Sequence, residues 1–356
     1  MNTGKPTIDD VAALAGVARV TVSRVLNGGP NVSEKARKAV LAAVDKLQFK
    51  VNMQARFLAG GKSHTVGLLY SSDLESEPNS FYYAGLELGA LRACSKAGFQ
   101  LSMHAVNQHS LRKNEMILEL VSSKRYEGLI LTPPFADDIG LLQAITDLNF
   151  PVVAVSAGHD AQKLVPAVGI DDEAAGYEIT RHLISLGHRK FAFIKGLEGH
   201  ISAEDRYFGF VRALREAGLE ASDMPTARGN FTFKSGTDMA NQLLCGEGFT
   251  ALVCANDDMA VGALFAAHKA GLALPQDISI VGFDDTPVSE IIWPPLTTVH
   301  QPLKVMGRKA AEILFERISG ERMQGNVKPV SYVVPHTLVL RESAVSPLKS
   351  LMKARS

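Results

Sequence analysis

The chain predicts two kinds of folded unit: an all-α helix-turn-helix head, followed by a two-lobed α/β core made of two parallel-sheet, Rossmann-like subdomains. Three observations lead there. Helical periodicity in the first fifty residues is interrupted at Gly16. After Thr65, short β-branched runs alternate with amphipathic helices in two successive series. Charge is divided between the two parts: residues 1–62 hold ten Lys+Arg against four Asp+Glu, +6, and the rest of the 356-residue chain carries −6, so the whole is neutral. A basic head on an acidic body is the footprint of a nucleic-acid module joined to something else. Counterion release would make its binding salt-dependent.

The head is read from its caps. Thr7 precedes an apolar-periodic run of Ile8, Val11, Ala12, Leu14 and Ala15, with Asp9 and Asp10 in the first turn. A hydroxyl followed by carboxylates suits the orphan N–H groups and positive end of a helix. Gly16 ends this helix and Val17 plugs the corner. Residues 18–26 form a second helix with Val22, Val25 and Leu26 on one face and Arg19, Val20, Thr21, Ser23 and Arg24 on the other. This is the helix-turn-helix pattern, whose second helix lies in the DNA major groove. The same spacing also fits an αα-hairpin that binds nothing, so the following residues decide. Gly28-Gly29-Pro30 stops the second helix, and Ser33 caps a third with Ala36, Val40, Val44 and Leu47 at helical spacing. Residues 52–58 then make about two helical turns before Gly60-Gly61, too short to be stable alone in water. That segment needs a partner to fold against.

Asp10-Val11-Ala12, Gly16-Val17, Thr21-Val22-Ser23-Arg24-Val25-Leu26-Asn27, Val32-Ser33 and Asn52-x-x-Ala55-Arg56-x-Leu58 resemble the lactose-repressor (LacI/GalR) family of bacterial transcription regulators. The resemblance implies that Arg19 and Val20 open a recognition helix and meet base edges, that Ser23 and Arg24 face the groove or phosphates, and that Thr7, Thr21 and Asn27 belong to the same DNA-contacting set. It implies that residues 52–58 are a hinge helix pairing with its dimer mate in the minor groove, with Asn52 and Arg56 on DNA, Leu58 as the wedge and Ala55 packed beside it. The physics agrees. An arginine can grip guanine O6 and N7 for roughly 1–3 kcal/mol of discrimination, Val20 can select a thymine methyl, and an apolar wedge between base pairs kinks the duplex. One residue departs from the family: the serine that usually caps the recognition helix is Ala18 here, a loss of about 1 kcal/mol of capping.

Composition excludes other classes. Three cysteines without a CxxC pair fit a reducing compartment and argue against a disulfide framework or zinc site. The N-terminus lacks the apolar run of an export signal, and no run approaches the ~20 residues of a membrane span. The expectation is a cytoplasmic protein without cofactor. No GxSxG elbow, GxxxxGK[ST] phosphate loop or metal-spaced His/Cys cluster is present, so catalysis is not expected. A solute-binding transport protein would suit the body alone, but not the basic head.

In the core, strands are expected at 66–70, 101–105, 128–132 and 152–156 with helices at 82–97, 111–123 and 139–148. A second series has strands at 167–170, 191–195, 252–255 and 280–283 with helices at 174–186, 203–217, 236–244 and 259–270. Such alternation means parallel sheets covered on both faces. The resemblance implies that 297–301 and the helix after it return to the first lobe and that 331–340 returns to the second, giving three crossovers and the layout of periplasmic sugar-binding proteins. The expected boundaries are a head at 1–50, a hinge at 51–63, a first subdomain at 64–166 and 297–328, a second at 167–296 and 329–342, and a tail at 343–356.

Open α/β sheets bind ligands beyond the carboxyl ends of their strands. The loops there hold Asp73, Pro133, Pro134, His200, Ser202, Asn256, Asp257, Asp284 and Asp285, with Arg206 one turn further on. By family position Arg206, Asn256 and Asp284 match effector-contacting residues, Phe231 the aromatic of the cleft, and Tyr82 and Tyr83 the wall of the first lobe. An arginine, a carboxylate and an amide can hold adjacent sugar hydroxyls while an aromatic covers the apolar sugar face. Asp284 as a helix cap and one of the two tyrosines as core remain alternatives, and Asp171 and Asp172 read as caps of the following helix. The expected effector is a sugar or oligosaccharide, with a purine base as the alternative; a purine-type site in the family carries arginine where His200 stands. The tail shows no leucine heptads, so a homodimer on a pseudo-palindromic double-stranded operator is expected.

Overall fold

The computed structural model describes residues 6–26, 32–49, 63–72, 80–246, 248–320 and 329–347. Asn27, Asn52, Ala55, Arg56, Leu58 and Asp73, and with them the expected hinge helix, lie outside the described residues. The chain divides into two units, Met1–Ser63 and His64–Ser356.

In the first unit, α1 (Ile8–Ala15), α2 (Arg19–Leu26) and α3 (Glu34–Leu47) enclose a small core of Val11, Ala12, Val22, Val25, Val40 and Ala43. Thr7 and Asp10 cap α1 reciprocally, each side chain accepting from the other residue's backbone N–H. Gly16 takes the left-handed conformation at φ 63° that closes α1, and Val17 packs against the core. Ser33 accepts from Ala36 N at 3.3 Å to start α3. The missing serine at 18 does not move α2, which begins at Arg19 with the Ala18 carbonyl accepting from Thr21 and Val22.

The second unit contains the two lobes. The first is a six-stranded sheet in the order β11-β5-β4-β3-β1-β2, all parallel, formed by β1 (Thr65–Ser71), β2 (Gln100–Val106), β3 (Gly128–Leu131), β4 (Val152–Val155), β5 (Ala167–Gly169) and β11 (Ser331–Val333). Its connecting helices are α4 (Ser80–Ala97), α5 (Lys113–Ser122), α6 (Ile139–Asp147) and the short α7 (His159–Gln162). β3 and β4 are buried throughout, which is why they read as unbroken apolar runs. The second lobe is a four-stranded parallel sheet, β7-β6-β8-β9, from β6 (Phe191–Lys195), β7 (Thr226–Arg228), β8 (Ala251–Cys254) and β9 (Ser279–Val281). It carries α8 (Asp172–Ser185), α9 (Ile201–Glu216), α10 (Phe233–Leu244), α11 (Asp257–Lys269) and the short α12 (Val288–Ile291).

Three strand assignments differ from the sequence expectation. The segment 167–170 was expected to open the second series, but β5 pairs with β4 and β11 in the first sheet. The turn through α7 is short enough to return the chain directly beside β4. The segment 297–301 was expected in the first lobe. Instead β10 (Thr298–His300) pairs antiparallel with β12 (Thr337–Val339), and bridges from Val281 to Thr297 and from Asp284 to His300 attach it to the second sheet. Only the helix after it, α13 (Leu303–Ser319), returns to pack on α4. The segment 331–340 is divided, β11 completing the first sheet and β12 the second. The chain thus crosses between lobes three times, after β5, after β10 and after β11. Short runs of three residues carry too little pattern to say which sheet they join; available edges decide it.

Candidate functional site

The carboxyl ends of both sheets face one cavity, lined by Tyr82, Tyr83, Pro133, His200, Ser202, Arg206, Phe231, Asn256 and Asp284. Of the residues picked from the strand-end loops and by family position, these nine line the cavity, whereas Pro134, Asp257 and Asp285 do not, and Asp73 lies outside the described residues. α4 supplies the tyrosines and the turn after β3 supplies Pro133; α9 carries Ser202 and Arg206, with His200 just before it. Phe231 precedes α10, Asn256 caps α11, and Asp284 follows β9.

The polar residues are held in place by one another. Arg206 is buried, its Nε 2.8 Å from Asp172 Oδ1, its Nη1 donating to the Ala255 carbonyl at 2.7 Å and lying 4.0 Å from Asp284 Oδ1. Its guanidinium lies 3.8 Å over the Phe283 ring, a favourable cation–π geometry. Burial lifts the Asp172 carboxyl above the usual carboxylate range, with Arg206 pulling against that rise. Asp171 does cap α8, accepting from Ala174 N at 2.8 Å. Asp172, expected to share that job, turns inward to Arg206 instead, because it is one position further round the helix and faces the buried side.

Asp284 does not cap a helix. Its Oδ1 accepts from Gln301 Nε2 at 2.6 Å, and its backbone sits at φ 115°. That conformation is rare outside glycine and tends to gather at functional positions. Next to it Asp285, half-buried, binds Arg341 Nη2 at 2.7 Å and His300 Nδ1 at 2.9 Å. Asp257 is wholly buried and accepts from Thr286 N, Thr286 Oγ1 and Thr298 Oγ1 at 2.7, 3.0 and 2.6 Å. Burial and the nearby Asp284 push its carboxyl well above the usual range. It ties the first turn of α11 to the loop after β9 and to β10, a role that sequence alone could not assign to one member of the Asn256-Asp257-Asp258 run.

Asn256 spends its amide on structure: Oδ1 accepts from Met259 N at 3.1 Å to cap α11 and Nδ2 donates to the Phe231 carbonyl at 3.0 Å. This second bond restrains Phe231, which is left-handed at φ 66°. The ring of Phe231 lies 5.1 Å from that of His200. Burial, reinforced by Arg206, lowers the His200 pKa to about 4, so the imidazole is neutral near pH 7. Its Nε2 is buried with no hydrogen-bond partner among the described residues. Tyr82 and Tyr83 both reach the cavity, so neither is purely core. Tyr82 Oη lies 2.9 Å from Ser156 Oγ, and burial raises the Tyr83 hydroxyl to about 12. The wall thus offers aromatic faces beside fixed polar arms, the pattern of a site for a polar ring-shaped ligand.

In the head, Val20 is 56% exposed, and Arg19 and Arg24 are exposed on α2 opposite the buried Val22 and Val25. Arg19 Nη1 lies 3.6 Å from Asp9 Oδ2 at the surface. Thr21 and Ser23 are half-buried beside them, and the Thr7 hydroxyl is engaged in the α1 cap.

A helix-turn-helix head and a two-lobed core with a cavity at its strand ends define a transcription regulator with a binding-protein-like body. The family described as bacterial regulatory proteins, lacI family, matches residues 7–52, and a periplasmic binding protein-like domain matches 180–344. The regulator CelR of Thermobifida fusca is 35% identical over 95% of this chain and 98% of its own length. A PurR repressor of Haemophilus influenzae (strain PittEE) is 33% identical over 96% and 99%. Among solved structures, a CelR–cellobiose complex superposes with a TM-score of 0.70 at 34% identity, covering 95% of this chain and 100% of that one. The lac repressor dimer bound to operator and the anti-inducer ONPF gives a TM-score of 0.79 at 29% identity, covering 96% and 100%. The chain belongs to the LacI family of bacterial transcription regulators. No described helix is long and apolar enough to cross a membrane.

Proposed function

We propose that this protein is a cytoplasmic repressor that binds a pseudo-palindromic operator as a homodimer, has no catalytic step, and is controlled by a neutral sugar or oligosaccharide in the cavity between its lobes. The observation that carries this is the convergence of nine residues from both lobes on one cavity, in a chain that also bears an exposed recognition face. Ligand gripped by both lobes changes their relative disposition, which is the kind of two-state element that coupling to DNA affinity requires. The marginal segment at 52–58 is the proposed relay, with Leu58 as its wedge.

Sugar is favoured over a purine base by His200. It is neutral and buried, and it stands where a purine-type site in the family carries arginine. The cellobiose complex of the related CelR points the same way, whereas the PurR relatives keep the purine base as the second reading. Dimerisation is supported by large apolar side chains exposed on the second lobe: Phe233 and Phe265 sit 5.7 Å apart, and Ile291 of α12 and Trp293 just after it are 82% and 71% exposed.

The decisive experiment is thermal unfolding of the full chain with a panel of neutral mono- and disaccharides and with hypoxanthine and guanine. A true ligand at a hundredfold excess over Kd stabilises by about 2.7 kcal/mol. Stabilisation by a sugar supports the reading; stabilisation by a purine base alone replaces it with the second.

A further inference from the structure

α9 brings His200, Ser202 and Arg206 to the cavity within its first turn and a half. Yet His200, its N-cap residue, makes no capping bond, its ring being turned toward Phe231. The cap comes from the opposite lobe. Asp137, ending the short turn after β3, accepts from Ile201 N through Oδ2 at 3.3 Å, while its Oδ1 accepts from Gly158 N of its own lobe at 2.7 Å. A carboxylate at this place satisfies an orphan N–H and lies at the positive end of a 16-residue helix. The Gly158 backbone lies against the Ile201 side chain: a Cβ there would come 2.6 Å from Ile201 Cγ2 and 2.9 Å from its Cβ, so a larger residue would push Ile201 aside.

We infer that Asp137 is a positioning residue for the cavity: by capping α9 across the cleft it holds His200, Ser202 and Arg206 against the first lobe in the closed arrangement. The inference rests on the cavity being the ligand site. The carboxylate is faced by Asp172 on α8 and Asp205 on α9, with Arg206 paired to Asp172; His200 lies beside the capped amide and His159 follows Gly158 on α7. Burial pushes the Asp137 carboxyl up to about 6 against the pull of its two amide donors, and Asp172 adds to the rise. An opened cleft would return it toward an ordinary value of about 3.9. Closure therefore takes up a proton and weakens as pH rises through 6.

The test compares full-length wild type, Asp137→Ala and Asp137→Asn, without operator or sugar, by amide hydrogen exchange and small-angle X-ray scattering at pH 5 and 7.5. Circular dichroism confirms that each variant is folded. In wild type, protection at Ile201 should fall by up to about tenfold from pH 5 to 7.5 after correction for intrinsic exchange, with a rise in radius of gyration. Asp137→Ala should lack that protection and show the larger radius at both pH values, and Asp137→Asn should have a flatter profile. Wild-type protection retained in Asp137→Ala overturns the inference, as does an Asp137→Asn profile that follows wild type. Lost protection with an unchanged radius also overturns it, reducing Asp137 to a local cap. Because no operator or ligand is present, this outcome is independent of the sugar panel, whose failure would instead strike the sugar reading of the cavity.

Discussion

Arg206, on the cavity wall, and Asp172 form a buried ion pair, Nε to Oδ1 at 2.8 Å, with both side chains only 6% exposed. Neither charge has water to fall back on, so the two are retained together or lost together. The pair sets where the Arg206 guanidinium can point, and with it the floor of the cavity.

Asp172→Ala would leave that guanidinium buried and without its main counter-charge. The expected cost is about 3–5 kcal/mol in urea unfolding. Asp172→Asn, which keeps one acceptor, should lose less. Equal stability of Asp172→Ala and wild type would show that Asp284 and the Ala255 carbonyl suffice to hold Arg206.

Arg19 leaves Asp9 when it reaches a base. An exposed pair at 3.6 Å is worth about 0–1 kcal/mol, less than the roughly 1–3 kcal/mol of a two-pronged guanine contact. Binding of Arg19→Ala to an operator and its single-base variants should therefore be weaker and should lose its preference at one position in each half-site. A uniform weakening across all variants would place Arg19 on phosphate instead.

Leu58→Ala should lower operator affinity at least tenfold and reduce the bend of the bound duplex, measured by gel mobility of permuted fragments. A cavity in an isolated head would not do this. Unchanged affinity and bend would remove Leu58 from the duplex.

Asp205 makes one contribution of definite sign to the pH dependence of stability. Burial, then Asp172, Glu173 and Asp137, push its carboxyl up to about 6 in the folded chain. The folded state holds this proton more tightly than the unfolded one, so the group's contribution is complete below about pH 4 and is lost as pH rises through 6. Asp205→Asn should melt above wild type at pH 7, by about 1 kcal/mol after allowing for solvent screening, and the gap should close by pH 4. A gap independent of pH would mean the substitution acts through packing.

Much of this molecule was legible before folding because its signals are local. Thr7, Asp10, Gly16 and Ser33 mark helix ends through bonds within four residues, and the exposed and buried faces of α2 follow from its periodicity alone. The rule that ligands lie beyond the carboxyl ends of parallel strands, joined to the family resemblance, found all nine cavity residues. Decisions between distant segments were not legible. Three-residue strands such as β5, β10 and β11 have no pattern that names a partner, so the open sheet edge assigned them. The direction of Asp172 depended on what α9 placed behind it. Asp137 carries no local signal at all: its meaning comes from Gly158 and Ile201, 21 and 64 residues away. Sequence determined the elements, their caps and the chemistry at their ends, since those depend on neighbours along the chain. The tertiary structure alone decided which carboxylates are buried, paired or shared between lobes, since desolvation and charge pairing depend on neighbours in space.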